Sequence, residues 1–134
     1  MTNEALLAFA GRHGYYVEYV PLEANQSFTI ETQRRCNIFI RKRLPRKTSK
    51  VRLAHELGHC EYGGFYNRHS PFDIRSRAEH RADKWAYYKL LPPEDIRAAM
   101  RHGYTETWQI ADYFDVTCEF AQRAIEYYKK EDLL

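Results

Sequence analysis

Near residue 49 the apolar pattern of the chain changes period, and that change limits the folds open to it. Upstream, three short segments alternate with period two, as half-buried strands do. "YYVEYV" (15–20) is β-branched and aromatic and ends at Pro21. "SFTIET" (27–32) sets Phe28 and Ile30 against polar neighbours, and "CNIFI" (36–40) alternates again. Downstream, helical patterns cover 49–62, about 74–91, 94–101, 105–114 and 117–130. Pro92 and Pro93 separate the second from the third, and Gly103 follows the third. A further helix precedes the strands. Thr2 or Asn3 can cap it, Gly14 stops it after about His13, and Leu6, Leu7, Phe9 and Ala10 would face a core. The short connections predict a small three-stranded antiparallel sheet. The plan is therefore α+β: an N-terminal helix, that sheet, then a helical bundle. With 134 residues, 44% hydrophobic and 15% aromatic, the chain can bury one real core. We expect a main body at 1–103 and a helical C-terminal segment at 104–134, packed together as a single compact domain.

Bulk features remove several classes. Cys36, Cys60 and Cys118 are odd in number and far apart, with no C-x-x-C pair, so neither a disulfide framework nor a zinc ribbon is expected. The expectation is reduced thiols in a cytosol, with Cys60 a buried structural thiol. "MTNEALLAFAGRHG" lacks a basic start before its apolar run, so no signal peptide is expected. No apolar stretch approaches the roughly 20 residues that span a bilayer. These points predict a soluble, cytoplasmic protein.

The stretch "RLAHELGHCEYGG" (52–64) lies on the first downstream helix. His55 and His59, four residues apart, share a helix face and can bind one metal ion. Glu56 stands roughly 100° round from His55, so it can reach a metal-bound water without becoming a ligand. This is the H-E-x-x-H arrangement, two imidazoles for zinc and a carboxylate for general-base work. The chemistry needs both: zinc acidifies water and polarises a carbonyl, and the base takes the proton. The competing reading is a helix face that carries polar groups by chance.

Zinc hydrolases use three protein ligands. The longer motif H-E-x-x-H-x-x-G-x-x-H is excluded, because Tyr62 and Phe65 stand where it needs glycine and histidine. Glu61, His69, Asp73, Glu79 and His80 remain. Glu79 stands out because "EHRAD" puts Glu79 and Asp83 at i and i+4 on a second helix. One could ligate while the other fixes the tautomer of a ligand histidine. Ser76 and Glu79 also form a capping-box pattern, in which Glu79 would only close the helix start. Asp73 could instead cap a helix beginning one turn earlier and free Glu79. His80 points about 100° away from Glu79 and is the weaker rival.

"LAHELGH" followed by "AEHRADKWAYYKLLPP" resembles the ImmA/IrrE family of metallopeptidases, compact members of the gluzincin group. The matching residues are His55, Glu56, His59, Glu79, Ala82, Asp83, Trp85, Ala86, Leu90, Leu91 and Pro93. The element order fits, as does a C-terminal "IADYFDVT", and the resemblance spans roughly 5–128. Trp85 stands where the family often has Phe, and Asp83 where many members have Asn. The resemblance implies one zinc ion per chain on His55, His59 and Glu79, on a zincin active-site helix. Glu56 would be the general base, and Asp83 the hydrogen-bond partner of a ligand histidine. It further implies limited regulatory proteolysis of a helix-turn-helix repressor of phage, mobile-element or stress-response type. The alternative is a catalytically silent regulator that keeps the fold and sequesters such a partner.

Residues 34–52 hold nine of the 21 basic residues and no acidic one, leaving 12 basic against 18 acidic elsewhere. Such a stretch could attract an acidic partner or nucleic acid, or be a solvated strand face. Related zinc peptidases hold substrate along an edge strand by β-addition. "CNIFIRKR" is the expected strand here, with Arg41 and Arg43 reading substrate side chains. "TWQIADYFDVTCEFAQRAIEYY" (107–128) resembles a helix-turn-helix. Asp115 replaces the usual turn glycine, and 104–134 carries seven acidic and three basic residues, which phosphates would repel. Direct nucleic-acid binding is not expected. Tyr62, Tyr66 and His69 are candidates for stabilising an oxyanion or touching substrate.

Overall fold

The computed structural model describes residues 1–32, 34–63 and 69–134. Helix α1 (Asn3–Arg12) starts at Thr2, whose Oγ1 accepts the Ala5 N–H at 3.1 Å. It is followed by β1 (Tyr16–Val20), β2 (Ser27–Thr32), β3 (Arg35–Arg41), α2 (Arg46–Tyr62) and α3 (Phe72–Leu90). Helices α4 (Pro93–Arg101), α5 (Thr107–Phe114) and α6 (Cys118–Lys130) complete it. The α+β order is the one the sequence pattern predicts.

The sheet is mixed, not purely antiparallel. Its order is β1-β3-β2, with β1 parallel to β3 and β2 antiparallel to it. The last strand takes the centre because Cys36, Ile38 and Ile40 give it a buried apolar face. The chain must then cross the end of β3 between β1 and β2. Arg41 holds that crossing, donating from Nη2 to the carbonyls of Glu23 and Asn25 at 3.0 and 3.1 Å. One expectation is corrected here: β3 is paired on both sides and has no free edge for a substrate strand. The Arg41 guanidinium, expected to read substrate, is bound through Nη2 to its own loop. The edge strand nearest α2 is β2.

The alternation in β2 is real but faces the unexpected way. Ile30 is 45% exposed, while Ser27 is buried. Phe28 stacks on Phe39 across the pair, with ring centroids 5.0 Å apart. Ser27 and Thr29, two residues apart on one face, point at α2.

One continuous core joins the elements. Leu6, Ile38, Leu53, Leu90, Ile110 and Tyr128 are fully buried in it. Tyr128 donates its hydroxyl to the Leu91 carbonyl at 2.8 Å, and burial pushes its phenol far above the usual range. The C-terminal pair α5–α6 also meets the basic start of α2. Arg46 pairs with Asp115 at 2.6 Å, Lys47 with Asp112 at 2.9 Å, and buried Lys50 donates to the Phe114 carbonyl at 3.0 Å. Asp115 closes α5 in the left-handed conformation, at φ 56°, which Asp tolerates better than most residues. Part of the basic stretch is thus answered by acidic groups of the same chain. Exposed pairs add about 0–1 kcal/mol each, so the apolar faces dominate the docking.

The cysteines also depart from expectation. Cys36 and Cys60 form a disulfide with Cα atoms 5.8 Å apart, and Cys118 is free and exposed. Cys60 is therefore not a thiol, and the inference from three separated thiols to a reducing compartment loses its basis. Sequence spacing could not show that the inward face at the start of β3 lies over the last turn of α2. A cross-link of this separation stabilises a fold by about 3 kcal/mol in the chain-entropy account. None of the described helices is long and apolar enough to cross a membrane. Unreduced, denatured protein should expose one titratable thiol per chain, and three after reduction; three without reductant would show that the disulfide does not form.

Candidate metal centre

The site begins with a contact between two helices. A Cβ built on Gly58 would lie 2.7 Å from the Ala82 carbonyl oxygen and 2.8 Å from its Cα. Helices α2 and α3 therefore touch backbone to backbone at this point. Gly58 sits beside His59, and Ala82 sits beside Asp83 and one turn from Glu79. The close approach carries both α3 carboxylates to the α2 histidines. Helix α3 begins at Phe72, so Glu79 lies two turns inside it and caps nothing. Asp73, the other cap candidate and a candidate ligand, pairs with Arg77 at 3.3 Å on the surface.

His55, Glu56 and His59 are all buried, at 5%, 3% and 8% exposure. The Glu79 carboxylate spans the two imidazoles, with Oε2 2.7 Å from His55 Nε2 and Oε1 3.2 Å from His59 Nε2. The His55 and His59 rings stand nearly perpendicular, with centroids 4.8 Å apart. His55 donates from Nδ1 to Asp83 Oδ1 at 2.8 Å, which leaves Nε2 facing Glu79. The other Asp83 oxygen accepts from Arg123 Nη2 of α6 at 2.8 Å.

Glu56 turns towards the sheet. Its Oε2 accepts from Ser27 Oγ at 2.6 Å and from Arg52 Nη2 at 3.1 Å, and its Oε1 accepts from Thr29 Oγ1 at 2.7 Å. Arg52 Nε also donates to Ser27 Oγ at 2.8 Å. The two hydroxyls explain why the polar face of β2 points inward. A buried carboxylate needs donors, and these supply them. Ser27, Thr29, Arg52, Glu56, His59 and Glu79 line one open cleft of about 320 Å³ between β2 and the helices.

Other candidates fall elsewhere. His80 packs edge-on against Tyr127 of α6, centroids 5.9 Å apart. Glu61 lies 3.7 Å from His13 at the end of α1. Among the described residues, His69 is not part of the group that could hold a metal, and Arg41, Arg43, Tyr62 and His69 do not line the cleft. Tyr66 lies outside the described residues. Ser27, Thr29, Arg52 and Arg123 were not anticipated. For Ser27 and Thr29 a signal existed, since hydroxyls alternating with Phe28 and Ile30 mark a polar strand face. Arg52, one turn before Glu56, could have been paired with it by the i,i+4 rule. No local pattern marks Arg123.

The donor set fits a divalent metal of zinc type. His55, His59 and Glu79 offer two imidazole nitrogens and a carboxylate oxygen, all within 4.8 Å of one another. Donors on one zinc ion stand roughly 3.4 Å apart in tetrahedral arrangement, so little adjustment is needed. The imidazole hydrogen-bonded to Asp83 is the usual outer support of such a ligand.

This donor set is compatible with the metal centre of a metallopeptidase. The chain belongs to the peptidase family M78, described as the IrrE N-terminal-like domain, whose family model matches residues 1–126. No curated protein matches the chain.

Two expectations follow from the geometry. Burial opposes a charge on His55, but hydrogen bonds to Asp83 and Glu79 and the nearby Glu56 outweigh it and hold the imidazole up to about 9. The metal-free protein thus carries an imidazolium at neutral pH. Because the folded value lies above the unfolded value of about 6.5, its stabilisation is full below pH ~6.5 and is lost as pH rises through about 9. The difference amounts to roughly 3 kcal/mol. In chelator, Tm should fall across that window, and His55→Asn should lack this component; the same fall in the variant would assign it to another group. Metal binding must expel the same proton. Separately, Gly58→Ala in a free helix would stabilise by about 1 kcal/mol. Here the methyl meets the Ala82 backbone, so a net loss of about 1–3 kcal/mol is expected, read by thermal unfolding. A more stable variant would disprove the close approach.

Proposed function

We propose that the protein is a zinc-dependent endopeptidase that cuts its target at limited sites. The observation carrying this reading is the convergence of His55, His59 and Glu79 beside Glu56 in one cleft bordered by the edge strand β2. Zinc bound by those three residues would polarise a peptide carbonyl and make water acidic enough to attack it. The chain's own groups do the rest. An extended substrate adds to the free edge of β2 and so lies along the cleft. Glu56 accepts the proton of the attacking water and delivers it to the leaving amine. Ser27, Thr29 and Arg52 orient that carboxylate, and Asp83 fixes the His55 tautomer.

The target we propose is a helix-turn-helix transcriptional repressor in the cytoplasm, on the strength of the family resemblance in the two sequence motifs. Cleavage at one or a few bonds would release the repressed genes. The C-terminal segment does not serve as a DNA reader here, because residues 104–134 carry seven acidic against three basic residues and the apolar face of α6 is buried in the shared core.

The deciding experiment measures zinc by elemental mass spectrometry together with repressor cleavage. Wild type should hold close to one zinc per chain and cleave. Glu79→Ala should lose most of the zinc. Glu56→Gln should keep the zinc and lose at least about 100-fold in turnover. Zinc without cleavage in wild type, with Glu56→Gln binding the repressor equally, would establish the silent partner-binding regulator instead. No zinc in wild type would refute the metallopeptidase mechanism.

A further inference from the structure

We propose that Arg123 of α6 is a positioning residue for the metal centre, so that the site is complete only when the C-terminal helical segment is docked. The inference rests on the reading that His55, His59 and Glu79 hold a metal ion. Asp83 has two carboxylate oxygens and uses both. Oδ1 accepts from His55 Nδ1 and Oδ2 accepts from Arg123 Nη2, each at 2.8 Å. A carboxylate held at both oxygens cannot rotate about its terminal torsion, and the imidazole bonded to it keeps its plane. With Oδ2 released, the Asp83 side chain, 20% exposed, has solvent to turn towards. The His55 ring then loses a fixed partner.

Arg123 reaches this position because its helix is anchored on either side of it. Phe120, Ala121, Ala124 and Ile125 are buried in the shared core, and the turn between them carries the guanidinium to α3. As a surface ion pair the contact is half-exposed, with Arg123 at 52%, and would add little stability. Its consequence lies in orientation. Three residues on three helices (His55 on α2, Asp83 on α3, Arg123 on α6) form a line of hydrogen bonds from the helix-turn-helix-like segment to Nδ1 of an imidazole whose other nitrogen, Nε2, faces the metal centre. A partner that drew α6 away from α3 would loosen the centre without touching it.

The test is zinc affinity of the full chain by competition with a chromogenic chelator, for wild type, Arg123→Ala, Arg123→Lys and Arg46→Ala. Loss of outer support of a ligand histidine weakens metal binding about 10- to 100-fold. Arg123→Ala should fall in that range and Arg123→Lys should recover most of it. Arg46→Ala, which removes a docking contact of the same segment far from the site, should match wild type in affinity. If Arg123→Ala fails to fold, Arg123→Gln, which keeps the stem, is read in its place. Affinity within twofold of wild type in the Arg123 variant overturns the proposal. A wild type that binds no zinc fails the metal reading itself, a result distinct from either of these.

Discussion

The contact of Gly58 with Ala82 is the constraint on which the site depends. Helices normally pack with axes 8–10 Å apart, separated by side chains. Here the absent side chain of Gly58 and the methyl of Ala82 let backbone meet backbone. Glu79 and Asp83 flank Ala82 on α3, so their carboxylates arrive at His55 and His59 without long reaches. A wider spacing would carry the Glu79 and Asp83 carboxylates away from two buried imidazoles, an unfavourable change for polar groups away from water.

The rest of the architecture can be read as support for that contact. On one side the sheet presents hydroxyls to Glu56, and the central strand β3 is linked by disulfide to the helix turn that carries His59. On the other side α6 reaches Asp83 through Arg123. The segment that resembles a helix-turn-helix is bound into the body twice: through the apolar core, and through the pairing of Asp112 and Asp115 with the basic start of α2. The basic stretch that looked like a partner surface is partly spent on this internal match.

Glu56 illustrates a competition between burial and chemistry. A carboxylate placed to accept a proton must stay within reach of the cleft. A carboxylate 3% exposed must also have donors. Ser27, Thr29 and Arg52 satisfy it from the sheet side while it still lines the cleft. The inverted face of β2 is a consequence: Ser27 and Thr29 face α2 and Ile30 is left exposed, because the position opposite Glu56 calls for hydroxyls.

What the sequence determined by itself is local. Period and punctuation gave the six helices and three strands among the described residues, and the i,i+4 spacing put His55 and His59 on one face with Glu56 beside them. The pairing of the "EHRAD" helix with that face was legible only because the two motifs resemble a known family. Tertiary structure alone decided which strand is central, which face of β2 turns inward, that Cys36 meets Cys60, and that Arg123 stands behind Asp83. The physical reason is the same in each case. Helical and strand periods are set by neighbours a few residues apart, which sequence displays. Strand order, cross-links and long-range hydrogen bonds depend on how those elements share one core, and sequence separation carries no record of that distance.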